Sequence, residues 1–184
     1  IDGEEKRTIH LGIDVFAPPG TSIYTPIDGV VHQLQDNQSE LDYGPTVILR
    51  HKITDGPEFY TLYGHLGREC LNQLEIGQVI KRGIQLTKIG NSNENGGWLP
   101  HVHFQLILDL FDYEGNYPGV ALPSGKKFWS SICPDPGLML SLESESTAKE
   151  IDTGQLLKRR KNVFGPSLSL SYQDPLIIVR GQAQ

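Results

Sequence analysis

Leu99-Pro-His-Val-His-Phe-Gln-Leu-Ile107 is the stretch from which the rest of the chain is best read. Its apolar, β-forming run from Val102 to Leu108 predicts a strand. Residues two apart on a strand point to the same face, so His101 and His103 share one. Two imidazoles side by side can bind a metal, because neutral imidazole is a common ligand and suits zinc. Such a pair defines a site only if the chain supplies a third ligand.

Outward from this strand the same pattern repeats. Ile23-Tyr24, Gly29-Val-Val-His-Gln-Leu34, Thr46-Val-Ile-Leu-Arg-His51, Glu58-Phe-Tyr-Thr-Leu-Tyr63, Val79-Ile80 and Leu86-Thr-Lys-Ile89 are short and rich in β-branched and aromatic residues. Turn signals such as Pro18-Pro19-Gly20, Asp28-Gly29, Asp55-Gly56-Pro57 and Asn95-Gly96-Gly97 separate them. Short strands between turns, with no helical period over residues 10–117 and no internal repeat, predict an antiparallel all-β domain.

The remainder changes character. Residues 118–137 are rich in Pro and Gly and carry Phe128, Trp129, Ile132 and Cys133, which predicts a loop lying against the β domain. Residues 138–161 read as a linker, where Thr147 and Glu150 form a capping box for a short helix through Leu157. The basic cluster Lys158-Arg-Arg-Lys161 suits the C-terminal end of that helix. Residues 162–184, with Leu168-Ser-Leu-Ser-Leu-Ser-Tyr172 and Pro175-Leu-Ile-Ile-Val-Arg180, read as an extended arm.

Composition narrows the function. A chain of 184 residues fits one domain with an appendage. The net charge of -6 argues against a nucleic-acid partner, which would need a basic face. No apolar run approaches the roughly 20 residues of a membrane-spanning helix, so no membrane partner is expected. Cys70 and Cys133 are too few for a disulfide framework and lack the paired spacing of a cysteine zinc site, so both are expected reduced. A start at Ile1, with no signal peptide, is read as a processed product or an excised piece.

The chemistry lies with the histidines. In His10-Leu-Gly-Ile-Asp14 the apolar Ile9, Leu11, Ile13 and Val15 alternate with His10, Gly12 and Asp14, so an extended chain puts His10 and Asp14 on one face. The polar side of any half-buried strand gives the same alternation. Combined with one imidazole of the His101/His103 pair, however, it makes a two-histidine, one-carboxylate set with an open position, as in a catalytic zinc site. His65, in Leu62-Tyr-Gly-His-Leu66, follows a strand and adjoins a glycine, where it can reach into a cleft. Two imidazoles would then remain to move protons and stabilise an oxyanion. No His-Glu-x-x-His helix is present, so imidazoles would have to serve as base. His32 reads as an outward strand residue, and His51 as a packing residue or turn hydrogen-bonder.

Five ordered blocks resemble the M23 family of zinc metallopeptidases, the lysostaphin and LytM-type endopeptidases. They are His10-x-x-x-Asp14, Ala17-Pro-Pro-Gly-Thr-Ser-Ile-Tyr-Thr-Pro-Ile-Asp-Gly-Val-Val31, Tyr63-Gly-His-Leu66, Ile76-Gly-Gln-Val-Ile-Lys-Arg-Gly83 and Pro100-His-Val-His-Phe104. The resemblance covers residues 7–108 or so and implies an all-β antiparallel β-sandwich, related to the barrel-sandwich hybrid, spanning residues 1–137 with an irregular C-terminal extension. It implies Zn2+ held by His10, Asp14 and His103, with His65 and His101 as the unligated catalytic pair. It also implies hydrolysis of a peptide or small amide bond, in the family usually within peptidoglycan.

The departures from the family pattern bear on the groove more than the metal set. Leu99 stands where a glycine is usual and Gln105 where a glutamate is usual. The segment Asn91-Ser-Asn-Glu-Asn-Gly-Gly-Trp98 replaces a shorter loop, and residues 1–9 hold no tyrosine of the kind some members place near the reaction centre. Phe164 to Gln182 resembles the opening of class III aminotransferases, which implies a cytoplasmic parent in which this module precedes a fused aminotransferase, whereas a typical family member would be extracellular or in the cell envelope. A non-catalytic module that binds or spaces its neighbours is then the alternative to an enzyme.

Overall fold

The computed structural model describes residues 5–140. Of the linker expected at 138–161, residues 141–161 with the expected helix lie outside the described residues, as does the extended arm at 162–184. The strands are β1 (Ile9–His10), β2 (Ile13–Phe16), β3 (Ser22–Tyr24), β4 (Gly29–Asn37), β5 (Gly44–Lys52), β6 (Glu58–Gly64), β7 (Val79–Ile80), β8 (Gln85–Lys88), β9 (His101–Ile107) and β10 (Val120–Ala121). Two helices join them, α1 (Cys70–Gln73) and α2 (Lys126–Ile132).

The fold is mostly antiparallel β, as the sequence predicts. One six-stranded sheet runs in the order β2-β9-β6-β5-β4-β7, and two ribbons, β1-β10 and β3-β8, flank it. Alternation along β5 explains why that strand is buried on both sides. Val47 and Leu49 enter one core with Tyr63, Phe104, Leu66 and residues of β3, β8 and α1, including Ile23, Leu86 and Cys70. Ile48 enters a second core with Leu11, Leu62, Ile107, Tyr117 and Cys133. The second layer is thus made of ribbons and connecting segments rather than another broad sheet. Burial of a Leu- or Ile-sized side chain contributes about 1.5–3 kcal/mol, so both cores hold the central strands in place.

The structure departs from the sequence-based expectation in three places. Ile9–Val15 is not one extended strand. Leu11 donates its N–H to Gly119 at 2.9 Å, and the chain switches at Gly12 from pairing with β10 to pairing with β9. A Cβ on Gly12 would lie 2.6 Å from the Phe104 carbonyl and 2.7 Å from the His103 ring, so the switch needs a glycine. The four-residue α1 falls within the stretch expected to lack helix, because one turn is too short to show a 3.6-residue period. Residues 118–137 do pack on the β domain, but as a short helix, with Trp129 and Ile132 of α2 against the second core. Cys70 and Cys133, expected reduced, are both free, and both are buried.

Candidate metal centre

His103 occupies the middle of three strands. Across the ladder its neighbours are Asp14 of β2 and Gly64 of β6. Directly opposed residues on an antiparallel pair stand close enough for side chains to touch, so sheet register brings Asp14 to His103. His10 arrives from the end of β1, on the other side of the break at Gly12. His10 Nε2, Asp14 Oδ1 and His103 Nδ1 form a nearly equilateral triangle with sides of 3.0, 3.1 and 3.2 Å. Among the described residues this is the one cluster of three His, Cys, Asp or Glu side chains placed to hold a metal ion.

This donor set fits zinc. Two imidazole nitrogens and a carboxylate oxygen are ordinary zinc donors, and tetrahedral ligands about 2.0–2.2 Å from the ion stand roughly 3.3–3.6 Å apart. The triangle is only a few tenths of an ångström tighter. His103 is buried, whereas His10 and Asp14 are half-buried, leaving the triangle accessible from one side. Burial opposes ionisation of Asp14, but the adjacent His10 and His103 imidazoles more than reverse this. Its carboxyl is held well below the usual range and so stays anionic.

His65 and His101 stand beside the triangle. His101 opens β9 with Nε2 3.8 Å from Asp14 Oδ1, and its ring centre lies 4.2 Å from that of His65. His65 follows β6 with a positive φ of 61°. That left-handed conformation is costly for a non-glycine residue. Three hydrogen bonds hold it: its N–H donates to Tyr43 O (2.8 Å), its carbonyl accepts from Gly90 N (3.0 Å), and Nδ1 meets Asn95 O (3.0 Å).

A carbonyl can only accept, so His65 carries its hydrogen on Nδ1 and leaves the Nε2 lone pair free. His101 repeats the device, with Nδ1 2.6 Å from Leu99 O. Burial pushes His65 down to about 3, and the neighbouring His101 adds to the effect. Burial also lowers His101. Both rings are therefore neutral near pH 7, in the form that accepts a proton.

The sequence marked all five residues, and the structure brings all five together. Sequence reasoning missed the groups that hold them. Tyr43 packs its ring against both His65 and His103, with centres 5.6 and 5.3 Å away, while its hydroxyl lies against Gly119. Phe16 stacks on His101 at 4.9 Å and 27°, and Trp98 meets the same ring edge-on at 6.4 Å. Phe16 is exposed, which leaves an aromatic rim beside the cluster. No local pattern marks these residues, because each reaches the site from a different strand or loop. His51 has the structural role expected of it, its Nδ1 bonding the turn carbonyl of Asp28. His32, expected to face outward, is half-buried against Tyr60. It is the extra residue where the β4–β5 register shifts between Val31 and Gln33.

Known proteins similar to this chain include peptidases. The peptidase family M23 model matches residues 8–112, and the chain belongs to that family. It is 32% identical over 100 residues to the peptidoglycan DD-endopeptidase ShyC of Vibrio cholerae, covering 54% of this chain and 20% of that protein. It is 31% identical over 116 residues to the DD-carboxypeptidase/endopeptidase Mpg of Neisseria meningitidis, covering 63% of this chain and 24% of the relative. The chain thus spans about a fifth to a quarter of the length of these relatives. Among solved structures, the catalytic domain of the prophage-encoded M23 protein EnpA from Enterococcus faecalis aligns with a TM-score of 0.45 and 25% identity, over 65% of this chain and 82% of that one.

Proposed function

We propose that the chain is a zinc-dependent hydrolase that cleaves a peptide or amide bond, with His10, Asp14 and His103 holding the ion and His65 and His101 handling protons. The observation that carries this reading is the His10–Asp14–His103 triangle with the His65 and His101 rings beside it. Zinc bound there would act as a Lewis acid, polarising the scissile carbonyl and making water acidic enough to be deprotonated near neutral pH. His65 and His101 present free Nε2 lone pairs, so one accepts a proton from the attacking water as the O–C bond forms. The resulting imidazolium returns that proton to the departing amine nitrogen as the C–N bond breaks. The second imidazole, His101 beside Asp14, can steady the charge that develops on the carbonyl oxygen once it carries a proton on Nε2, the form that the Asp14 carboxylate favours.

The substrate class proposed is a peptide or small amide. Peptide cross-links of peptidoglycan are the first to test, because ShyC is a peptidoglycan DD-endopeptidase. The deciding experiment is metal analysis of the purified chain with and without His103→Ala. About one equivalent of zinc that disappears in the variant supports the reading. No bound zinc after loading sinks it and favours the non-catalytic module. Oligoglycine peptides, peptidoglycan fragments and small amides, screened with the zinc-loaded chain, then separate the substrate classes.

A further inference from the structure

His101, His103 and Gln105 lie at alternate positions of β9, so the face that carries the two imidazoles continues into an amide. The Gln105 side chain is fully enclosed. Its Oε1 lies 2.9 Å from His103 Nε2. Its Nε2 donates to the Pro118 carbonyl at 3.1 Å and to Cys133 Sγ at 3.3 Å.

These contacts fix a hydrogen on His103 Nε2, whether or not Nδ1 carries another toward Asp14 Oδ1. The Pro118 carbonyl can only accept, so the nitrogen end of the Gln105 amide must face it. The oxygen end then faces His103 and can only accept, which places the imidazole hydrogen on Nε2. A neutral imidazole with Nε2–H carries its lone pair on Nδ1. That is the atom 3.0 Å from His10 Nε2 and 3.1 Å from Asp14 Oδ1. A backbone carbonyl in the segment after β9 thus determines which nitrogen of His103 can bind a cation.

We propose that Gln105 is a positioning residue. It locks His103 as the Nε2–H tautomer and ties that choice to residues 117–133, beyond the family-matched region of 8–112. The part concerning zinc rests on His103 being a ligand, as proposed above; the tautomer does not. The glutamate that the family resemblance leads one to expect here would also accept from His103 Nε2–H. Its carboxylate could not donate to Pro118 or Cys133, so the amide is what links the ligand to this segment. Cys133 reinforces the link, because Sγ also lies 3.8 Å from the Tyr117 hydroxyl.

The test uses the whole chain and two substitutions. Long-range 1H–15N NMR of the zinc-free protein should show His103 with hydrogen on Nε2, in wild type and in Gln105→Glu, and as a tautomer mixture in Gln105→Leu. Competition with a chromophoric chelator should show zinc binding weakened about ten- to a hundredfold in Gln105→Leu. In Gln105→Glu it should change by no more than about threefold, since the acceptor remains. Loss of the two donors should free the 117–133 segment, raising the reactivity of the Cys133 thiol roughly tenfold in Gln105→Glu.

A wild-type His103 without hydrogen on Nε2 overturns the proposal, as does a Gln105→Leu variant that binds zinc like wild type. Unchanged Cys133 reactivity in Gln105→Glu overturns the link to the segment. If wild type binds no zinc, the metal reading fails while the tautomer measurement still decides the role of Gln105. If Gln105→Leu does not fold, the wild-type tautomer and Gln105→Glu give the answer.

Discussion

His51 and His103 are buried to nearly the same extent, 2% and 3% exposed, on strands β5 and β9 of one sheet. Each ring lies under a glycine that cannot carry a side chain. A Cβ on Gly29 would come 2.7 Å from the His51 ring, as one on Gly12 would come 2.7 Å from that of His103. Packing therefore does not distinguish them; the ring nitrogens do. His51 bonds Asp28 O at 2.8 Å through Nδ1 and Thr61 Oγ1 at 2.7 Å through Nε2, so no lone pair is left over. His103 has one nitrogen on Gln105 and the other facing a carboxylate and a second imidazole. His65 and His101 each tie Nδ1 to a backbone carbonyl and keep Nε2 free. A buried histidine is structural when both nitrogens are engaged by neutral protein groups, and available for chemistry when one is not.

Breaking the chemical side of this contrast should give the largest effects. His103→Ala or Asp14→Ala should abolish both bound zinc and turnover, read by metal analysis and peptide cleavage. His65→Ala and His101→Ala should keep about one equivalent of zinc while turnover falls roughly 10²- to 10⁴-fold, the usual contribution of general acid–base catalysis. Loss of zinc in His101→Ala would mean that the two halves of the His-x-His pair have exchanged roles.

Smaller effects should come from the packing that both histidines share. In Gly12→Ala the new methyl meets the Phe104 carbonyl, a backbone atom that cannot swing aside. Overpacking of this kind costs about 1–3 kcal/mol, and here it also pushes on His103, the proposed metal ligand. Thermal stability and zinc affinity should therefore fall together. His51→Leu should lower stability by about 1–3 kcal/mol, because the Thr61 hydroxyl and Asp28 carbonyl lose a buried partner. Turnover should be unchanged, and a large loss of activity would erase the distinction between the two rings.

Much of this site was legible in the chain because its signals are local. The i, i+4 spacing of His10 and Asp14, the alternation in β9 and the glycine before His65 each need only a few residues to be read. The antiparallel fold was legible for the same reason, from strand-length β-rich runs between turn residues. What was not legible depends on contacts distant in sequence. Nothing near Tyr43 shows that its ring will lie between His65 and His103, and nothing near Gln105 shows that Pro118 will orient its amide. The break at Gly12 is also invisible locally, since the alternation of Ile9 to Val15 holds whether or not the strand bends. α1 and α2 are too short for a helical period to outweigh the surrounding β and turn residues.

Acid should expose the remaining difference between neutral and charged imidazoles. Folding lowers His65 from its ordinary 6.5 to about 3, mainly by burial. Burial lowers His101 and His51 in the same direction. Between those two pH values the unfolded chain binds more protons than the folded one, so stability rises with pH and is lost as pH falls below about 6.5. Each such group contributes at most about 1.4 kcal/mol per pH unit. Asp14 acts in a separate window. Its folded value is depressed, so its contribution is present above the ordinary 3.8 and is lost only at lower pH. Denaturant unfolding of the zinc-free protein should therefore show a drop between pH 6.5 and 5.5, within about 1.4 kcal/mol for His65 alone, that becomes shallower in His65→Gln. An identical slope in the variant would mean that His65 takes up its proton near pH 6.5 in the folded chain as it does in the unfolded one. A protonated ring has no lone pair to take a proton from water, and the division of labour between His65 and the three clustered ligands would have to be redrawn.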